Sequence, residues 1–192
     1  MALLILGLVL FLGVHSTRVF AESWRTQFIA ARGANAWKGV YAVLSIAGFA
    51  LMLWGFGLAR QQPVVLWNPP TWTRHLAALL TLPAFVLLAA AYIPGNSIKA
   101  RLHHPMVLGV KVWAFSHLLV GRTLAAEVLF GAFLVWAVLS FRAARARDRA
   151  AGTVYAPGRG GPTVVAVAIG VLAWAGFAFW GHGALIGVRP FG

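Results

Sequence analysis

The 192-residue chain is 61% hydrophobic and 10% charged, with only three acidic residues and a mean hydropathy of +0.83. A soluble domain of this size cannot cover its surface with so few charges, so the composition excludes a water-soluble globular protein. The formal charge of +13 does not indicate nucleic-acid binding, because the cations fall between apolar segments, where the head groups of membrane lipids attract them.

Six apolar segments reach the length that a helix needs to cross the hydrocarbon layer of a membrane. In chain order they are Ala2–Ala21, Gly39–Leu58, Leu76–Ile93, Pro105–Gly121, Leu124–Phe141 and Thr163–Gly181. The first segment has no basic residues before it and no clear cleavage site after it, so we expect a retained helix rather than a signal peptide. The pattern predicts an all-α, six-helix transmembrane bundle, forming a single domain over residues 1–192.

The distribution of basic residues between alternate loops predicts the topology. One side has only Arg60, Arg74, Arg122 and Arg189, whereas the other side has eleven basic residues. These eleven are Arg18, Arg25, Arg32, Lys38, Lys99, Arg101, Arg142, Arg145, Arg147, Arg149 and Arg159. Because basic loops stay in the cytoplasm, we predict a cytoplasmic loop at residues 142–162 and both termini on the opposite side.

The fourth segment carries a histidine at membrane depth, where an ionisable side chain is costly and is usually retained for function. Val110, Trp113, Ala114, His117 and Gly121 share one helix face. The small residues leave room for a flat ligand beside the imidazole. The alternative is a histidine that bonds a neighbouring helix.

His15 lies in the first segment, and Arg18 follows it on the same helix face. An imidazole with a cation one turn nearer the cytoplasm suits a cofactor that has a metal and carboxylates, as haem b does. Alternatively, Arg18 marks the interface and His15 bonds a neighbouring helix. The Cα atoms of His15 and His117 differ in depth by about 10 Å, near the limit for two ligands of one iron. His182 is closer in depth to His117 and is a rival ligand.

The remaining ionisable groups have structural interpretations. His75 and the His103-His104 pair lie at segment starts, where histidine is common at membrane interfaces. Lys111 lies off the His117 face and can extend its ammonium group to the cytoplasmic interface. Glu127 is the only acid in an apolar segment, and we expect a structural ion pair with Arg122 or Lys111.

Several enzyme classes find no support in the sequence. The chain has no cysteine, no pair of carboxylates, no glycine-rich phosphate loop after a strand, and no discernible serine, histidine and acid arrangement. Hydrolytic and nucleotide-driven functions are therefore not predicted.

Four motifs together resemble the NnrU family of bacterial inner-membrane proteins, which are named for a link to nitrite and nitric oxide reduction. They are Leu8–Ser16, His104–Leu119, Leu129–Gly131 and His182–Pro190. The same motifs resemble the 15-cis-zeta-carotene isomerase, a membrane protein that binds haem b. This resemblance implies haem ligation by His15 and His117. The isomerase has a cysteine where this chain has Ala114, so a mechanism that needs that thiolate is not expected.

A second resemblance involves Arg101, His104-Pro105, Gly109 and Trp113, which are similar to the Arg-His-Pro motif of isoprenylcysteine carboxyl methyltransferases. Those enzymes have an acidic pair after the next helix, whereas residues 140–149 are rich in arginine here. Methyl transfer is therefore not predicted.

The resemblances lead to a haem-containing, isomerase-like or redox protein of the bacterial inner membrane, with an apolar small molecule as a candidate substrate. We expect Arg18 and Lys111 to hold the haem carboxylates and Trp113 and Ala114 to contact the ring. The alternatives are an accessory protein for denitrification and a cofactor-free scaffold or permease.

Overall fold

The computed structural model describes residues 1–191, in which every regular element is a helix. The helices are α1 (Ala2–His15), α2 (Thr17–Phe20), α3 (Glu22–Arg32), α4 (Ala34–Gln61), α5 (Trp72–Tyr92), α6 (Ser97–Leu102), α7 (Pro105–Leu118), α8 (Leu124–Ala150), α9 (Gly160–Gly176) and α10 (His182–Ile186). A π-helical turn, Phe177–Gly181, joins α9 to α10. The all-helical fold predicted from the sequence is confirmed.

Four helical stretches in the described range are long and apolar enough to cross a membrane. They are α4, α5, α8 and the continuous stretch Gly160–Ile186. Helices α1 and α7 have 14 residues each, which corresponds to about 21 Å, less than the roughly 30 Å of hydrocarbon. The membrane-protein class is therefore supported by four spans, and the count of six crossings stays a prediction.

Helix α1 ends six residues before the end of the predicted first segment. The Thr17 hydroxyl donates a hydrogen bond to the Val14 carbonyl (2.9 Å), which competes with the helical pattern at this point. The short helix α2 follows, and Ala21, with φ −138° and ψ 36°, separates it from α3. Polar side chains thus interrupt a segment that hydropathy alone treats as continuous.

The chain folds into two compact units, and the first comprises Met1–Asn68 and Arg122–Ala144. In this unit α1 packs directly against α4, because glycines allow the two backbones to approach closely. A Cβ atom on Gly48, for example, would lie 2.6 Å from the Phe11 backbone nitrogen. The buried core of the unit contains Leu4, Leu8, Met52 and Ala125.

The second unit comprises Pro69–Gly121 and the residues from Arg145 onward. Helix α5 packs against both α7 and α9, and a glycine lies at each contact. A Cβ atom on Gly109 of α7 would lie 3.0 Å from the Ala84 carbonyl oxygen, and one on Gly170 of α9 would lie 2.5 Å from the Val86 Cα. Close packing of α7 fixes the axial position of His117 in this unit.

Candidate functional site

His117 lies in the last turn of α7, in the second unit. Its Nδ1 atom lies 2.8 Å from the carbonyl oxygen of Trp113. Because a carbonyl oxygen only accepts hydrogen bonds, Nδ1 must carry the proton, and Nε2 then carries the lone pair. Metal-ligating histidines use the same arrangement, in which the second nitrogen donates to a carbonyl and fixes the tautomer.

His182 has the same hydrogen-bond pattern in the same unit. Its Nδ1 atom donates to the Val188 carbonyl oxygen at 2.7 Å. It directly follows the π-helical turn, a feature that often occurs at functional sites because it shifts the helical register. The imidazole rings of His117 and His182 have centroids 6.4 Å apart and planes inclined by 21°.

The centroid spacing of the two rings would allow both imidazoles to bind one metal ion. One metal ion held by two imidazoles separates the ring centroids by roughly 6 Å, with about 2 Å between metal and nitrogen on each side. The rings also have aromatic neighbours, since the Trp113 centroid lies 5.2 Å from His117 and the Phe177 centroid lies 5.6 Å from His182. A flat, apolar macrocycle with a central metal matches this chemistry.

The other candidate residues of α7 have different environments. Trp113 neighbours His117, as the predicted helix face requires. Ala114 is completely buried, whereas Lys111 is partly buried. The roles of Trp113 and Ala114 as ring contacts, and of Lys111 as a carboxylate partner, stay predictions.

His15 ends α1 in the first unit, surrounded by aromatic rings. Its Nδ1 atom donates to the Phe11 carbonyl oxygen at 2.6 Å, so His15 has the same tautomer as His117. The Phe11 ring stacks on the imidazole at 4.2 Å, and the Tyr41 and Trp136 centroids lie at 5.0 and 6.2 Å. This tautomer again suits metal ligation through Nε2.

The surroundings of His15 contain a polar group that needs a partner. The Trp136 indole nitrogen is buried and forms no hydrogen bond within residues 1–191. An unpaired buried donor costs about 1–3 kcal/mol, so a bound group with an acceptor oxygen would be stabilised here. The haem carboxylates and carbonyl-containing ligands both have such oxygens.

Arg18 lies in α2, beyond the end of the His15 helix. Its Nε atom is 3.4 Å from Oε2 of Glu22, and the Arg18 side chain is 55% exposed. An ion pair of this kind contributes little to stability because both groups are hydrated. The predicted role of Arg18 in haem binding stays a prediction.

Comparison with known families identifies the chain. The family model described as NnrU protein matches residues 3–190. The chain belongs to the NnrU family. The match spans both units and includes the three candidate ligands His15, His117 and His182. None of the curated proteins and none of the solved structures matches this NnrU family member.

A polar network in the second unit of this NnrU family member was not predicted from the sequence. We call it the Asp148 network; it consists of His103, His104, Arg145, Asp148 and Tyr155. The Oδ2 atom of Asp148 accepts hydrogen bonds from His104 Nε2 (2.7 Å) and from the Tyr155 hydroxyl (3.0 Å). The His103 ring stacks on Tyr155 at 3.9 Å, and its Nδ1 accepts a hydrogen bond from Arg145.

The network joins the α6–α7 corner to the polar end of α8 and the loop beyond it. His103 forms the corner with φ +68°, the only positive φ of a non-glycine residue in the described range. Such a conformation costs of order 1–3 kcal/mol and persists where surrounding contacts enforce it. His103 and His104, interpreted as interfacial histidines, therefore have specific partners that are more than forty residues away in sequence.

The Asp148 carboxylate lies beyond the apolar part of α8. Partial burial alone would raise the pKa of Asp148, but the hydrogen bonds from His104 and Tyr155 and the nearby imidazoles outweigh it and lower this pKa. Burial and the Asp148 carboxylate together raise the pKa of Tyr155. Both shifts favour an ionised aspartate that accepts a hydrogen bond from a neutral tyrosine.

The lowered pKa of Asp148 leads to a testable pH dependence of stability. A carboxyl group with a lowered folded-state pKa stabilises the fold above its unfolded pKa, about 3.9, and loses this contribution as the pH falls through the folded pKa. We expect the thermal midpoint of detergent-solubilised protein to fall with pH below about 4, and Asp148→Asn to flatten this fall. Equal slopes in wild type and variant would contradict the assignment.

Glu127 lies in the first turn of α8, in the first unit. Its side chain bonds with Trp67, and its Oε1 atom is buried without a hydrogen-bond partner within residues 1–191. Arg122 instead donates to the Asn68 side-chain oxygen at 2.8 Å. The expected ion pair between Glu127 and Arg122 is therefore not among the described contacts.

Proposed function

We propose that this NnrU family member is a haem b protein of the bacterial inner membrane, with both termini on the periplasmic side. The observation that supports the proposal best is the shared tautomer of three histidines that lie in apolar helices. His15, His117 and His182 each donate from Nδ1 to a backbone carbonyl, so the lone pair that a metal would bind is on Nε2 in all three.

His117 is one of the two proposed iron ligands in either version of the proposal. The second ligand has two candidates. Family resemblance favours His15. The 6.4 Å ring spacing within the second unit favours His182. The proposal includes six membrane crossings. Two of them would be formed by α1 and α7, the helices that carry His15 and His117.

Bound haem b would supply an iron that acts as a redox-sensitive Lewis acid. The protein itself would fix the ligand nitrogens through their carbonyl partners and exclude water with aromatic side chains. Arg18 and Lys111 would pair with the carboxylates, because an ionised carboxylate in an apolar environment needs a cationic partner. We propose cis–trans isomerisation of an apolar polyene as the reaction, since the surroundings of the ligand histidines are aromatic rather than ionic.

The first experiment tests for the cofactor. Protein purified in mild detergent from haem-supplemented cells is expected to show a Soret band and the pyridine haemochrome spectrum of haem b, at about one haem per chain. A preparation that stays colourless after supplementation and reconstitution would reject haem binding.

A second measurement separates catalysis from an accessory role. The haem-loaded protein is incubated with a cis polyene, and the isomers are separated by chromatography. Conversion that depends on the iron oxidation state supports the isomerase. A haem-loaded protein without conversion supports an accessory role in nitrite and nitric oxide reduction, and a haem-free protein leaves a scaffold or permease.

A further inference from the structure

The second unit has a large excess of positive charge that its own residues do not neutralise. It contains nine Lys and Arg residues, four within residues 69–121 and five from residue 145 onward, against a single acidic residue, Asp148. Asp148 already accepts hydrogen bonds from His104 and Tyr155. Anions from outside the chain must therefore balance most of the charge.

Hydrogen bonds gather six of these nine cations at one end of the unit. The Arg159 amide donates to the Gly95 carbonyl (2.8 Å), and the Ser97 amide donates to the Thr163 hydroxyl (2.8 Å), so the start of α9 lies beside the start of α6. The Asp148 network attaches the end of α8 to the α6–α7 corner. We call the resulting region the basic end; its cations are Lys99, Arg101, Arg145, Arg147, Arg149 and Arg159.

Three guanidinium groups of the basic end are accessible. Arg101, Arg149 and Arg159 are exposed, and their side chains form no hydrogen bond or ion pair within residues 1–191. The other three cations have partners: Lys99 donates to the Ala91 carbonyl oxygen at 2.9 Å, Arg145 bonds with His103, and Arg147 is also engaged. The three exposed arginines are thus the side chains that remain for an external anion.

We propose that the basic end binds the phosphate groups of anionic membrane lipids. Arg149 lies in the last turn of α8, and Arg159 immediately precedes α9, so both lie at the end of a membrane-length helix, at head-group level. Arginine binds phosphate through two parallel hydrogen bonds, and basic groups at this position attract anionic lipids. This proposal does not depend on haem.

The test compares lipid retention by matched variants. Wild-type protein in a neutral detergent is mixed with equal amounts of phosphatidylglycerol and phosphatidylethanolamine, and bound lipids are counted by native mass spectrometry. We expect at least a fivefold preference for phosphatidylglycerol. The variant with Arg101→Gln, Arg149→Gln and Arg159→Gln is expected to lose it. The control with Arg60→Gln, Arg74→Gln and Arg189→Gln removes equal charge elsewhere and is expected to keep it.

Three results would contradict lipid binding at the basic end. Equal phosphatidylglycerol binding by the wild type and the first triple variant, or equal losses in both triple variants, would overturn it. Displacement of the lipid by an equal concentration of inorganic phosphate would show a general anion site and would also overturn it. If the first triple variant does not fold, the single variants at Arg101, Arg149 and Arg159 must each lower retention more than single changes at Arg74 and Arg189.

Discussion

Replacement of His117 by alanine is expected to lower the haem content of the purified protein at least tenfold. His117 is the ligand common to both proposed pairs, and loss of even an outer partner of a metal ligand costs 10–100-fold in affinity, roughly. The Trp113 carbonyl that orients the imidazole would remain, so the change removes the ligand without removing its support. Haem content is measured as pyridine haemochrome per mole of protein.

The matched control for this experiment is His75→Ala. His75 is an exposed histidine in the first turn of α5, and its replacement should leave the haem spectrum unchanged. Equal haem content in the His117→Ala variant, the His75→Ala variant and the wild type would exclude His117 as a ligand.

The partner of His117 is identified by two further variants. If His182 is the second ligand, His182→Ala converts the low-spin spectrum to a high-spin one, and His15→Ala does not. If His15 is the second ligand, as family resemblance implies, the results are reversed. The comparison is decisive because the two ligand pairs predict opposite spectra for the same two variants. His182 lies in the same unit as His117, and His15 lies in the other unit.

Hydropathy predicted the helical class and the four membrane-length helices, because each of them contains a long, predominantly apolar window with few charged residues. It did not predict that α1 ends at His15. This end depends on local hydrogen bonds, such as that from Thr17 to the Val14 carbonyl. Hydropathy also did not predict the π-helical turn at Phe177–Gly181, because an apolar stretch can form either an α-helical or a π-helical turn and its hydropathy is the same in both.

The candidate site was only partly accessible to sequence reasoning. Depth along a helix indicated His182 as a rival ligand, and the structure places its ring 6.4 Å from that of His117. The Asp148 network was not predicted, because His104 and Asp148 are 44 positions apart and become neighbours only when the helices pack. A signal was nevertheless present: Asp148 is one of only three acids in the chain, and an isolated acid among arginines usually has a specific partner.

The second large effect is expected from glycines in α4. A Cβ atom on Gly55 would overlap the backbone of Leu3 and Leu4 in α1, whereas one on Gly57 would have no neighbour within 4 Å. Backbone atoms cannot rotate away as side chains can, so Gly55→Ala must push α1 from α4. Leu4 is completely buried at this contact, and its packing would be lost as well.

We expect Gly55→Ala to destabilise the first unit by about 3 kcal/mol, at the upper end of the usual cost of overpacking. For a chain of this size, this corresponds to a fall of about 6–12 °C in the thermal midpoint. Gly57→Ala should be neutral or stabilising by about 0.5–1 kcal/mol, because alanine loses less conformational entropy in a helix than glycine does. Thermal unfolding in detergent, followed by circular dichroism, measures both. Both variants gain the same helix propensity, because both replace a glycine of α4 by alanine, so the difference between their midpoints reports the contact alone. Equal midpoints for the two alanine variants would show that α1 and α4 are not in backbone contact at Gly55.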